Sequence, residues 1–297
     1  MSTSGYDEFG MFRDNAEEAG LPWRGPPTVR RERVEVAPGQ SVSALVWGDT
    51  EPEIVLLHGG AQNAHTWDTV ALALDRPLVA VDLPGHGHSD WRADHAYWPT
   101  ENAEAVAIAI DRLAPSARMV VGMSLGGLTA FVLAARRPDL VRKLAVIDVT
   151  PGVDEKKASP IAAFINGPET FTSFDEILQR TIEYNPTRTE TSLRRGVLHN
   201  ARELDDGSWS WRYDRFLLPE GTKTPDFADV WDAVSAGTAP LMLVRGADSW
   251  VVGDDDIAEL RRRRPDARVE TVEGAGHSIQ GDKPVELAAL LADFLDH

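Results

Sequence analysis

Met119-Val120-Val121-Gly122-Met123-Ser124-Leu125-Gly126-Gly127-Leu128 is the stretch that decides how the chain is read. Met119 to Val121 form an apolar run of the kind found in a short buried strand. The apolar and small residues from Leu128 to Ala135 read as the helix that follows. Between them Gly122-x-Ser124-x-Gly126 implies a turn tight enough to strain the serine backbone. Side chains two residues to either side would collide with neighbouring chain, so both positions are glycine. Such a turn raises Ser124 Oγ at the start of a helix, where backbone N–H groups and the positive helix end favour a developing anion.

Strands and helices alternate around this stretch. Ile54-Val55-Leu56-Leu57 and Leu78-Val79-Ala80-Val81 are continuous apolar runs, as expected of strands buried on both faces. Lys143 to Val149, Pro240 to Val244 and Arg268 to Val272 are further strands. Helical patterns run from Thr66 to Leu74, from Thr100 (read as N-cap) to Leu113, and from Pro284 to Leu295. Another helix carries Asp254, Asp255 and Asp256 at its start and Arg261 to Arg264 at its end, an order that suits the helix dipole. Upstream, Arg31 to Val36 and Val42 to Trp47 alternate in polarity and form a hairpin across Pro38-Gly39. The pattern predicts an α/β fold with a mostly parallel, eight-stranded sheet between helical layers. Ligands of such sheets bind beyond the carboxyl ends of the strands. His58-Gly59-Gly60, Asp82 to Asp90, Ser124, Asp148, Asp248 and His277 all follow strands directly and are expected to gather at that edge.

Residues 29–150 and 238–297 make up the expected core, and residues 151–237 read as a mainly helical cap inserted into it. Short interrupted helices at Pro160 to Phe164, Ser173 to Ile182 and Thr189 to Leu204 precede an aromatic cluster from Trp209 to Phe216. Residues 1–28 read as an extension on the surface, with a short helix near Asp14 to Ala19 and a proline-rich end.

The 297 residues suffice for one large core. A net charge of −17 argues against nucleic acid and anionic membrane surfaces as partners. No cysteine is present, which removes disulfides, thiolate nucleophiles and Cys-based metal sites. No stretch reads as a secretory signal or a membrane span. A cytoplasmic monomer or homodimer is expected.

A serine hydroxyl is a weak nucleophile unless a base takes its proton and a third group orients that base. His277, behind Gly274-Ala275-Gly276, is the candidate base. Two acids could orient it: Asp248, after the penultimate strand, is favoured, and Asp148, after the strand next to that of Ser124, is the alternative. The oxyanion donors are expected to be the N–H groups of Leu125 and Gly60.

Together, His58-Gly59-Gly60, Asp82-Leu83-Pro84-Gly85-His86-Gly87, Gly122-Met123-Ser124-Leu125-Gly126-Gly127, Gly246-Ala247-Asp248 and Gly276-His277 resemble the α/β-hydrolase family over residues 30–295, in its capped, lipase- and esterase-like branch. The resemblance implies the nucleophile–acid–base order Ser124, Asp248, His277, and a structural loop at His86 and His88. It implies a serine hydrolase that cleaves a carboxylic ester or lactone of a small, largely apolar molecule, with no metal or cofactor. Trp67, Trp250 and the cap aromatics are candidates to line an apolar site. A cofactor-free perhydrolase would use the same three residues. A carbon–carbon hydrolase of dienoic acids would add a basic subsite such as Arg194 or Arg212, but the Ser-Gly-Pro-Gly segment associated with that activity is missing after His58-Gly59. A ligand receptor of the same fold is the non-enzymatic alternative.

Overall fold

The computed structural model describes residues 6–153, 155–215 and 227–297. The chain begins with helix α1 (Phe12–Glu18), then the hairpin of β1 (Val29–Ala37) and β2 (Gln40–Trp47). β3 (Ile54–Leu57) leads through a 3-10 turn (Ala64–Trp67) into α2 (Asp68–Leu74), and β4 (Leu78–Asp82) into α3 (Pro99–Leu113). β5 (Met119–Met123), α4 (Leu125–Arg136) and β6 (Leu144–Ile147) complete the first part of the core. The intervening segment holds α5 (Glu155–Ile165), β7 (Thr170–Phe171), α6 (Phe174–Tyr184), α7 (Glu190–Asn200), β8 (Ala201–Glu203), β9 (Trp209–Trp211) and α8 (Ala228–Ala236). The core resumes with β10 (Leu241–Gly246), α9 (Asp254–Arg263), β11 (Arg268–Val272), α10 (Ile279–Asp282) and α11 (Pro284–Asp296).

Eight strands form one sheet in the order β1-β2-β4-β3-β5-β6-β10-β11. β2 is antiparallel to both neighbours, and the pairs from β4 to β11 are parallel. Every second residue faces the same side of a strand, so each apolar run serves two cores. Val55 and Leu57 join Phe131, Leu133 and Leu260 on one face, whereas Ile54 and Leu56 join Trp67, Leu74 and Leu291 on the other.

Register aligns the strand ends. Leu57 pairs with Val81 and Gly122, Met123 with Ile147, Ile147 with Val244, and Gly246 with Val272. The chain therefore leaves six strands along one edge, with His58, Ser124 and Asp148 each the first residue out.

Three features depart from the sequence reading. Helix α3 begins at Pro99 with Trp98 as N-cap, so Thr100 lies inside it. The cap carries a small antiparallel sheet, β7-β9-β8, in addition to helices. Helix α8 packs against α4 of the core, with Val234 in the core cluster. The aromatic segment pairs as β9, and its last member, Phe216, lies outside the described residues. No helix among the described residues is long and apolar enough to cross a membrane.

The N-terminal segment is docked. Phe12 is buried with its ring 4.8 Å from that of Trp47, and Arg195 of α7 donates to Asn15 Oδ1 at 2.7 Å. Glu18 adds a salt bridge to the same arginine and accepts from the Thr189 hydroxyl. Residues 6–18 thus touch both core and cap.

Candidate active site

Ser124 sits between β5 and α4 with φ 50° and ψ −118°. A left-handed φ costs a non-glycine residue about 1–3 kcal/mol and persists only where its surroundings fix it. Here its N–H donates to Ile147 O at 3.2 Å, and its carbonyl accepts from Gly127 N at 2.8 Å and Leu128 N at 3.0 Å. A Cβ on Gly122 would lie 2.3 Å from Gly126 O, and one on Gly126 would lie 2.4 Å from Leu57 O. The turn therefore packs backbone on backbone, directly against the end of β3.

That contact brings the His58-Gly59-Gly60 turn to the serine: a Cβ on Gly59 would be 3.2 Å from Ser124 Cβ. His58 is fully buried and structural. Leu83 N–H donates to its Nε2 at 2.9 Å, so Nδ1 carries the proton and donates to Gly59 O at 2.7 Å. Burial holds its pKa below the ordinary histidine range, consistent with this neutral tautomer. The imidazole thus ties the loop after β4 to the loop after β3. Asp82 organises the same corner, accepting from Ala64 N at 2.7 Å, His88 N at 3.1 Å and Arg31 at 2.7 Å. His86 is buried and has its Nδ1 3.0 Å from Pro84 O. Among the described residues neither Gly60 N–H nor Leu125 N–H donates a backbone hydrogen bond; Leu125 follows Ser124 directly, and Gly60 follows Gly59, which packs against Ser124. Ile165 of α5 stands over Gly60, its Cδ1 3.8 Å from where a Cβ would be.

His277 Nδ1 lies 2.8 Å from Asp148 Oδ2. This corrects the expectation that Asp248 would be the partner. Asp248 is an exposed residue, and its backbone N–H donates to Ala275 O at 3.0 Å. It helps to shape the histidine loop with its main chain. Asp148 is fully buried at the end of β6, between the strand of Ser124 and β10. Besides His277 it accepts from Gly246 N–H at 3.0 Å and the Ser249 hydroxyl at 2.5 Å. A buried carboxylate needs such donors. The loop after β11 reaches it by crossing the end of β10, where a Cβ on Gly246 would lie 2.3 Å from Gly276 O. Asp282 fixes the far side of that loop by accepting Gly276 N–H at 2.9 Å.

The sequence reading placed Ser124 and His277 at this edge, with Asp148 as the alternative acid. It missed Ser249, Asp282 and Gln280, whose side-chain amide reaches Gln62 and Thr66 at 3.3 Å. Of the residues offered as site lining, Trp67 belongs to the core and is fully buried. Trp250 is half-exposed and donates to Lys157 O of α5 at 3.1 Å. Arg212 is held by Ala201 O at 3.0 Å, and the guanidinium of Arg194 lies over the ring of Phe174.

The chain is 48% identical to the esterase Rv0045c of Mycobacterium tuberculosis over 99% of its own length and 97% of that protein. A structure of that esterase, from work on its inhibition by transition metals, matches with a TM-score of 0.88 over 99% of this chain and 100% of the other. The sn-1-specific diacylglycerol lipase ABHD11 of Mus musculus is 30% identical over 89% of this chain and 88% of its own. A family model described as the alpha/beta hydrolase fold matches residues 52–284. With eight strands in the order above and a serine at the strained turn after β5, the chain belongs to the α/β-hydrolase family.

Proposed function

We propose that the protein hydrolyses carboxylic esters, open-chain or lactone, through an acyl-enzyme on Ser124. The observation that carries this is the 2.8 Å contact between His277 Nδ1 and the buried carboxylate of Asp148. It keeps the proton on Nδ1 and leaves Nε2 as the basic nitrogen. Ser124 Oγ attacks the acyl carbon while His277 Nε2 takes its proton. The tetrahedral oxyanion is held by the N–H groups of Leu125 and Gly60, and losing one such donor typically costs about 3 kcal/mol in the barrier. His277 then protonates the departing alkoxide. Water, deprotonated by His277, attacks the acyl-enzyme and releases the acid. Asp148 stabilises the imidazolium in both halves.

The similarity to an esterase and a diacylglycerol lipase supports ester chemistry, and Ile165 above Gly60 supports an apolar acyl or alcohol group. The test is turnover of p-nitrophenyl acetate, butyrate and octanoate and of a γ-lactone, wild type against Ser124→Ala, with active-site titration by an organophosphonate. Ser124-dependent turnover is expected. Absence of a phosphonyl adduct on Ser124 would sink every hydrolytic reading.

A further inference from the structure

Where α7 of the cap meets the core, a second group of ionisable side chains is buried that the proposed reaction does not use. His65 comes from the 3-10 turn after β3, Asp68 from the start of α2 and His199 from the end of α7; all three are buried. Asp68 Oδ2 lies 2.9 Å from His65 Nδ1 and 3.8 Å from His199 Nε2. One donor atom from each residue lies within 4.8 Å of the other two. Two buried atoms of the group, His199 Nε2 and Asp68 Oδ1, have no hydrogen-bond partner among the described residues. Each such atom costs about 1–3 kcal/mol unless something occupies it.

We propose that His65, Asp68 and His199 form a binding site for a divalent transition-metal ion, Zn²⁺ being the best match, which joins cap to core. Two imidazoles and a carboxylate are a donor set that Zn²⁺ favours over Ca²⁺ or Mg²⁺. A tetrahedral Zn²⁺ with ligands at about 2.0–2.1 Å has ligand–ligand edges of roughly 3.4 Å, and the two separations at Asp68 Oδ2 bracket that value. The outer groups also fit. Glu8 Oε1 lies 3.1 Å from His65 Nε2, and the Tyr6 hydroxyl lies 2.8 Å from His199 Nδ1. Each imidazole thus has an oxygen on the nitrogen that faces away from the ion, the arrangement that orients metal-bound histidines. Water would supply the fourth ligand.

Two features oppose the ion and shape its behaviour. The rings of His65 and His199 stack at 3.7 Å with only 10° between their planes. A lone pair lies in its ring plane, so the rings must tilt apart to share one ion. Arg31 stands 3.4 Å from His65 Nε2 and adds a positive charge, offset by Glu8. Binding is therefore slow and breaks the ring stack.

The test is calorimetric titration of the full chain with Zn²⁺, together with Co²⁺ titration read by visible absorption, which reports four-coordinate geometry. His199→Gln and Tyr6→Phe are compared with wild type, and His277→Gln controls for metal taken up by the His277–Asp148 pair. One ion per chain is expected, with unchanged affinity in His277→Gln and a loss of at least tenfold in His199→Gln, of the size such sites show. Zn²⁺ should raise the melting temperature of wild type and not of His199→Gln. Tyr6→Phe, which keeps every ligand, covers the case in which His199→Gln fails to fold and should weaken binding several-fold. No binding below about 1 mM, or binding lost in His277→Gln and retained in His199→Gln and Tyr6→Phe, would overturn the proposal.

Discussion

Asp148→Asn tests the site most directly. In the native protein Asp148 Oδ1 accepts Gly246 N–H, and Oδ2 accepts both the Ser249 hydroxyl and His277 Nδ1–H. Asparagine is nearly isosteric but must turn its NH₂ to one side. If NH₂ takes the Oδ2 position, it donates to His277 Nδ1, the ring proton moves to Nε2, and the base for Ser124 is lost. If NH₂ takes the Oδ1 position, it confronts Gly246 N–H, and a buried donor left without an acceptor costs about 1–3 kcal/mol. The tautomer then survives, but the imidazolium formed during attack loses a charged acceptor for a neutral one, a further 1–2 kcal/mol or so. The cheaper route adds about 2–5 kcal/mol to the barrier, which is roughly a 30- to 5,000-fold loss in kcat. Asp248→Asn should stay within about twofold, a negligible barrier change, because that residue is exposed and engages the histidine loop through its backbone. The assay is kcat for p-nitrophenyl butyrate, normalised to phosphonate-titrated sites, with circular dichroism to confirm folding. If Asp148→Asn retains more than about a tenth of wild-type kcat, or Asp248→Asn is the more damaging change, the assignment fails.

Ser124→Ala and His277→Ala should each lower kcat by about 10⁴ or more, and the double variant should be no worse than either, since the residues act as a unit; additive losses in the same assay would contradict this. Gly126→Ala should destabilise far more than Gly127→Ala. A Cβ on Gly126 meets backbone oxygens of Leu57 and His58 at 2.4 and 2.6 Å, whereas one on Gly127 meets the γ-methyls of Val149 and Val146 at 2.6 and 2.9 Å and its nearest backbone atom, Gly122 O, only at 3.0 Å; urea denaturation gives the comparison, with about 1–3 kcal/mol expected for Gly127→Ala. Stability should also fall on acidification. Burial pushes the His86 pKa down to about 3 from the ordinary 6.5, so the unfolded chain binds a proton below pH 6.5 that the folded chain refuses. The contribution of His86 is intact above pH 6.5, declines as pH drops below it, and is exhausted near pH 3; at pH 5 the loss is about 2 kcal/mol. Denaturation midpoints at pH 7 and pH 5 should differ by less in His86→Gln than in wild type, and equal differences would count against the linkage.

The sheet was legible because strands buried on both faces must be apolar throughout, and Ile54 to Leu57 or Leu78 to Val81 admit no other reading of comparable length. The serine turn was legible because Gly122 is demanded by the backbone of Gly126, four residues on; the backbone that demands Gly126 is the end of β3, far away in the chain, and was not legible. The acid was not, because Asp148 and Asp248 both follow strands and both satisfy the chain order Ser, Asp, His. What separates them is surroundings. Asp148 lies in Val146-Ile147-Asp148-Val149-Thr150, all buried, where a carboxylate requires donors; Asp248 lies in a polar loop. The cap sheet escaped detection because β7, β8 and β9 have two or three residues each, too few for alternation to register. Thr100 looked like a cap, but Pro99, pre-set for the first helical position, starts α3 one residue earlier.

The docking of residues 6–18 has a consequence for how the molecule is made. Arg195 bonds to Asn15 and Glu18 across 180 and 177 positions of chain, and Thr189 to Glu18 across 171. Residues 15–18 therefore lack these partners on α7 until more than 170 further residues have been made, and the contacts close a long loop. Loop closure over that span is entropically unfavourable and slow relative to local structure. Its attachment to α7 belongs at the end of assembly, after the sheet and cap have formed, and a bulky fusion ahead of Tyr6 would interfere at that final step and not with the folding of the core.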